Sequence, residues 1–241
     1  MTVFLVLPAF NEEGNLALVL DAFALATKDT GCQMRIVLVD DGSTDRTRAV
    51  AQTRALQMRL ELIVHEVNQG LGRTMHDGLK RAAELAEPDD VIVTMDADNT
   101  QPASLIPRML EAVNAGNDLV IASRFRPGSR VVGLSLFRRG MTIVSSFLYR
   151  AIRPIPGVRD YTCGFRAYRG SLMQRAFTAY NGCFVTETGF TCMAEILVKI
   201  RVLSPTIQEL PMVLRYDRKK GASKMPVVRT VQRSLNLLLR G

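Results

Sequence analysis

The sequence predicts an α/β fold, a mainly parallel sheet flanked by helices within one domain. Three observations point to it. Short runs of Val, Ile and Leu recur without polar alternation, the pattern of strands buried on both faces. A stretch with helical spacing follows each run, so strands and helices alternate as in a parallel sheet. Acids, Asn and Gly collect where the runs stop, and in such sheets ligands bind beyond the carboxyl ends of the strands.

Taken in order, "VFLVLP" predicts a first strand over Val3 to Leu7, and "NLALVLDAFALATK" a helix with Asn15 as its N-cap. "RIVLVD" is a second strand, and "STDRTRAVAQTRAL" a helix capped by Ser43 or Thr44 with Asp45 in its first turn. "LELIVHE", "DVIVTMD" and "DLVIASR" are further strands, separated by the helices "GRTMHDGLKRAAELA" and "LIPRMLEAVNAG". The second half is less regular. "LFRRGMTIVSSFLYRAI" and "GFTCMAEILVKIRVL" read as helices, "RDYTCGFRAYRG" as a loop or short strands, and "IQELPMVLRY" as an alternating strand. After the basic loop "DRKKGASKMP", Val227, Val228, Val231, Leu235, Leu238 and Leu239 share one side of a last helix. Arg229 and Arg233 lie on its polar side, so an interfacial helix is a second reading of it.

The bulk numbers narrow the class. Of 241 residues, 47% are hydrophobic and 22% charged, which excludes a disordered chain. The N-terminus runs straight into a short apolar segment ended by Pro8, so no signal peptide is expected. The longest apolar stretch, Val131 to Ile152, is interrupted by Arg138, Arg139 and Arg150 and is not expected to span a membrane. Cys32, Cys163, Cys183 and Cys192 show no paired spacing, consistent with thiols in a reducing cytosol. Residues 1–123 hold 10 Lys and Arg against 18 Asp and Glu, whereas residues 124–241 hold 21 against 5. A basic half beside an acidic one points to an anionic partner. Few aromatics interleave the basic residues and no recognition motif appears, so nucleic acid is not expected.

Five strand ends form the candidate rim: "PAFNEE", "DDGS", "NQGLG", "DAD" and "ASRF". Asp40 and Asp41 suit either a turn or a carboxylate aimed at a ribose hydroxyl or a base N–H. Gly70 and Gly72 mark a loop that needs unusual backbone angles. Asp96 and Asp98 are the strongest signal. Residues i and i+2 of extended chain face the same way, so two carboxylates meet at one spot. A hard divalent cation, Mg²⁺ or Mn²⁺, relieves their repulsion and typically shares its shell with substrate phosphates. Asn99, Thr100 or Gln101 would complete or brace that shell. Arg124, Arg138, Arg139, Arg166, Arg215, Arg218 and Lys224 are the candidate anion partners. His65 and His76 read as structural, and no residue stands out as a general base.

Together "PAFNEE", "VDDGSTDRT", "NQGLGRTMHDGL", "MDADNTQP", "ASRF", "RRG", "CGFRAY" and "DRKKGASK" resemble the family 2 glycosyltransferases of the A-type fold, and within them the polyprenyl (dolichyl) phosphate sugar synthases. The resemblance runs from residue 4 to about residue 225. It implies a single domain over 1–241, with a nucleotide-sugar half (1–123) and a basic acceptor half (124–241). It implies nucleotide-sugar contacts from Pro8, Ala9, Asn11, Glu12, Asp40, Asp41, Gly70, Asp96, Ala97, Asp98, Arg124, Arg218 and Lys224. The acceptor phosphate would meet Arg138, Arg139, Ser223 and Lys224, with Asp98, Arg124 and Arg139 closest to the chemistry. Mg²⁺ or Mn²⁺ would bind Asp96, Asp98 and Gln101. Relatives often read D-A-D-L-Q, whereas here Thr100 stands at the Gln position and Gln101 follows it. The implied reaction moves a hexose, mannose from GDP-mannose as first choice, to polyprenyl phosphate at the inner face of a membrane that the protein meets peripherally from the cytoplasm. A UDP-sugar donor and a saccharide hydroxyl acceptor are the alternatives. A hydroxyl acceptor would need a base, with Glu187 or Asp160 as candidates.

Overall fold

The structure, a computed structural model, describes residues 1–220, and residues 136–138 by their helix alone. The N-terminal part alternates strand and helix as predicted: β1 (Thr2–Ala9), α1 (Leu16–Thr27), β2 (Gln33–Asp41), α2 (Thr47–Ala55), β3 (Leu60–His65), α3 (Leu71–Leu85), β4 (Val91–Thr94), α4 (Ile106–Asn114) and β5 (Leu119–Ser123). Then follow β6 (Arg130–Val132), α5 (Leu136–Ile152), β7 (Arg166–Arg169), α6 (Gly170–Ala179), α7 (Cys192–Ile200), β8 (Ile207–Pro211) and β9 (Val213–Arg215).

Seven strands form one sheet in the order β3-β2-β1-β4-β7-β5-β8. All pairings are parallel except those of β7, which runs antiparallel between β4 and β5. The central strands are buried along their length, with Val3, Leu5, Val6, Leu7, Val91, Ile92, Val93 and Leu119 to Ala122 shielded by helices. The basic half supplies β7 and β8 to this sheet, so it completes the core as well as the rim.

Three local expectations are corrected. Asn15 does sit at the N-cap of α1, but its side chain makes no cap bond; it holds Glu12 and Lys220 instead. α2 begins at Thr47, and neither Ser43 nor Thr44 caps it. Asp45 lies before the helix rather than in its first turn and accepts the Thr47 N–H (2.9 Å), while Ser43 Oγ is occupied by the Asn11 N–H (2.9 Å) from the end of β1. "IQELPMVLRY" is two strands. β8 pairs with β5 and β9 pairs with β6 in a separate two-stranded ribbon, because the chain leaves the main sheet at Met212. The predicted helix over 227–239 lies outside the described residues.

Candidate active site

β4 pairs with only four residues of β1, Val3 to Val6, and the Met95 N–H makes the last bond, to the Val6 carbonyl. Beyond it Asp96, Ala97 and Asp98 leave the sheet, turning at Asn99 with a left-handed φ of 61°.

 Asn11, with a φ of 53°, turns the end of β1 in the same left-handed way. Asn tolerates this region better than other side chains, so both strand ends can break sharply into the rim.

The two carboxylates are held differently. Asp98 Oδ1 accepts from the Thr100 N–H (3.1 Å) and hydroxyl (2.7 Å), while Oδ2 accepts from Lys219 Nζ at 2.8 Å. Asp96 is braced by Gln101, whose Nε2 donates to Asp96 Oδ2 (2.7 Å) and whose Oε1 accepts the Asp96 N–H (3.0 Å). Burial, followed by the charge of Asp98, pushes the Asp96 carboxyl up to about 7, against the opposing pull of Lys219 and Arg124. A side chain at Gly164 would place its Cβ 3.4 Å from Asp96 Oδ1, so glycine leaves that oxygen room.

The loops after β1 and β2 are stitched together. Asn11 Oδ1 accepts the Thr44 N–H (2.8 Å), and the Glu12 N–H donates to Thr47 Oγ1 (2.7 Å). Pro8 and Ala9 pair in register with Val39 and Asp40. Asp40 is buried at the end of β2, accepting from the Ser43 N–H (3.2 Å) and Arg48 Nε (3.2 Å). Asp41 faces the other way, with its oxygens taken by His65 Nδ1 (2.7 Å) and the N–H groups of Gln69 and Gly70 (2.9 Å each). His65 also meets Asp77 (3.1 Å), which matches its reading as structural. His76 is packed edge-on to Phe177, and burial pulls its pKa down.

Arg124 follows β5 and is gripped by Asp160. Its Nε donates to Oδ2 (2.8 Å), its Nη2 to Oδ1 (2.6 Å) and to Thr162 (2.6 Å), leaving Nη1 outside the fork. This grip removes Asp160 from the candidate bases. One candidate anion partner is also corrected. Arg166 is fully buried and donates to the Met193 and Tyr161 carbonyls (2.8 Å each), because β7 enters the middle of the sheet. Arg215 is paired with Asp217 two residues on (2.7 Å). Arg139, in the first turn of α5, and Arg218 are exposed. The side chain of Arg138, and Ser223 and Lys224, lie outside the described residues.

Sequence reasoning missed Lys219. Nothing in "DRKKGASK" distinguishes it from its neighbours, and its partner Asp98 is 121 residues away. It also missed Tyr216, partly buried beside Arg124, Asp96 and Asp98, its hydroxyl pushed up to about 12 chiefly by desolvation.

The donor set suits a hard divalent ion. Two carboxylates leave one strand end together, and one of them already draws in a cationic side chain. Among the described residues no third Asp, Glu, His or Cys joins them, so further ligands would be amide, hydroxyl, water or phosphate oxygens.

Residues 4–177 match the family described as Glycosyl transferase family 2. An undecaprenyl-phosphate mannosyltransferase of Micrococcus luteus is 31% identical over 226 residues, 93% of this chain and 88% of that protein. A dolichol-phosphate mannosyltransferase of Pyrococcus furiosus is 30% identical over 93% of this chain, which spans only 59% of the Pyrococcus protein. In three dimensions the chain is similar to glucosyl-3-phosphoglycerate synthase from Mycobacterium tuberculosis, crystallised with Mn²⁺, uridine diphosphate and phosphoglyceric acid (TM-score 0.68, 20% identity, 99% of this chain and 78% of that one). That likeness concerns the fold.

Proposed function

The chain belongs to glycosyl transferase family 2 and is a glycosyltransferase, and from that premise we propose that it moves a hexose from a nucleoside diphosphate to a polyprenyl phosphate. Mannose from GDP-mannose is the first candidate donor, in keeping with the mannosyltransferases it is similar to. The observation that carries the proposal is the Asp96–Asp98 pair at the end of β4, facing the basic segment at Lys219.

Asp96 and Asp98 would hold Mg²⁺ or Mn²⁺, with Gln101 bracing Asp96 rather than standing free. When bound, such an ion neutralises negative charge on the diphosphate. Pro8, Ala9, Asn11, Glu12 and Asp40 line the rim that would receive the nucleoside, and Asp41 shapes it by holding the Gln69–Gly70 backbone. Arg124 and the exposed Arg218 would meet phosphate oxygens, and Arg139 the acceptor phosphate. An oxygen of the ionised acceptor phosphate attacks the anomeric carbon, the bond from that carbon to the diphosphate oxygen breaks, and its electron pair leaves with the nucleoside diphosphate. In-line attack inverts the centre. The acceptor arrives deprotonated near pH 7, so no general base is needed.

A lipid acceptor requires a route to a membrane surface. No helix among the described residues is long and apolar enough to cross one. α5 exposes Ile143, Val144 and Phe147 beside Arg139 and Arg150, a basic and apolar face suited to an anionic bilayer.

The test supplies the purified chain with Mg²⁺, polyprenyl phosphate and labelled GDP-mannose, then UDP-glucose. A lipid-linked sugar is expected; none from either donor refutes the proposal.

A further inference from the structure

The segment from Arg215 to Lys220 is tied across the rim at three points. The Arg215 N–H donates to the Thr100 carbonyl (2.9 Å), beside the acidic pair. Lys219 Nζ donates to Asp98 Oδ2 (2.8 Å). Lys220 N–H donates to Asn15 Oδ1 (3.2 Å), and Asn15 Nδ2 returns a bond to the Lys220 carbonyl (3.0 Å). One end of the segment therefore rests on the loop after β4 and the other on the loop after β1.

The Lys219–Asp98 pair is well shielded, the two side chains being 14% and 13% exposed. A shielded ammonium is costly unless a carboxylate answers it, and Asp98 does so with the oxygen that Thr100 leaves over. The same oxygen is the one Asp98 has to offer a divalent cation. A doubly charged ion and an ammonium held at one carboxylate repel strongly. The ion must therefore displace the ammonium, and the displaced ammonium needs another anion.

We propose that Lys219 is a resident counter-ion of the acidic pair, which competes with the divalent cation for Asp98 and passes to the donor diphosphate when that arrives, so that metal and nucleotide bind cooperatively. Lys219 is a positioning residue in this scheme. Without nucleotide it opposes the metal; with nucleotide it has a second anion to pair with, and the opposition is lifted. By linkage, whatever factor the nucleotide adds to metal affinity the metal adds to nucleotide affinity. The proposal rests on the reading of Asp96 and Asp98 as the metal pair.

The experiment titrates Mn²⁺ into the full chain, followed by the electron paramagnetic resonance of free Mn²⁺, with and without GDP or UDP. Wild type, Lys219→Met, Lys219→Arg and Asp98→Asn are compared, and melting temperatures confirm folding. Lys219→Met is expected to tighten Mn²⁺ binding without nucleotide about tenfold, about 1.4 kcal/mol, and to shrink the gain that nucleotide brings. Lys219→Arg is expected to keep the wild-type coupling. Mn²⁺ binding that is lost in Asp98→Asn but unchanged in Lys219→Met overturns this inference alone. Mn²⁺ binding that is absent in wild type, or undiminished in Asp98→Asn, overturns the metal reading and this inference with it.

Discussion

Replacing Asp160 by Asn tests how Arg124 is held. The Asp160 side chain is fully buried and accepts from Arg124 Nε, Nη2 and N–H, and from the Thr162 (3.3 Å) and Cys163 (3.1 Å) N–H groups. Asn keeps the shape and one acceptor oxygen but leaves the guanidinium, 11% exposed, without a counter-charge. Breaking a buried pair from one side costs about 3–5 kcal/mol, and the retained oxygen places this variant near the lower end, about 3 kcal/mol. For a chain of this size that lowers Tm by about 6–12 °C. Removing both charges, in Asp160→Asn with Arg124→Met, should restore much of the loss, because no orphan charge is then buried.

The pair also has a pH signature. Burial alone would raise the Asp160 carboxyl, but the charge and hydrogen bonds of Arg124 outweigh it and hold the group below the usual range. Its stabilisation is therefore present above the unfolded value, about 3.9, and is lost as pH falls through the lower folded value. Urea unfolding of wild type and both variants, repeated between neutral pH and pH 3, measures each quantity. The wild type should lose stability more steeply than the variants below about pH 4. A loss under about 1 kcal/mol for Asp160→Asn, the range of an exposed ion pair, would refute the claim that Asp160 holds Arg124 in a shielded site.

Gly72→Ala would put a Cβ 1.5 Å from the Glu187 carbonyl oxygen, so the loop carrying Glu187 and Thr188 must move off α3; thermal unfolding should show a loss of about 1–3 kcal/mol or more. Gln101→Ala removes the brace on Asp96 and should weaken Mn²⁺ binding about 10- to 100-fold, as removal of a ligand's supporting group typically does. Asp98→Ala should abolish metal-dependent turnover, measured with labelled donor, and retained turnover would remove Asp98 from the metal site. Phe147→Ser in α5, at a side chain 65% exposed, should leave the unfolding free energy within about 0.5 kcal/mol of wild type while reducing co-sedimentation with anionic vesicles.

Much of the fold was legible because its signals are local. A doubly buried strand needs an uninterrupted apolar run, and "VFLVL", "IVLV" and "VIVT" each meet that need in four or five residues. The break at Asp96 was legible for the same reason, since two acids cannot continue a buried strand. What escaped was every pairing made across the fold. Asn15 carries the right residue type for a helix cap, yet its amide bonds Lys220, a choice made 205 residues away. Arg166 looked available in a segment read as a loop or short strands; only the insertion of β7 between β4 and β5 buries it.

By itself, then, the sequence determined the strand–helix alternation, the rim where polar residues end the strands, and the acidic pair after β4, because burial and backbone period act over a few neighbours. Tertiary structure alone decided which charges answer one another: Asp160 for Arg124, Gln101 for Asp96 and Lys219 for Asp98. Electrostatic pairing depends on distance and shielding in space, and spacing along the chain encodes neither.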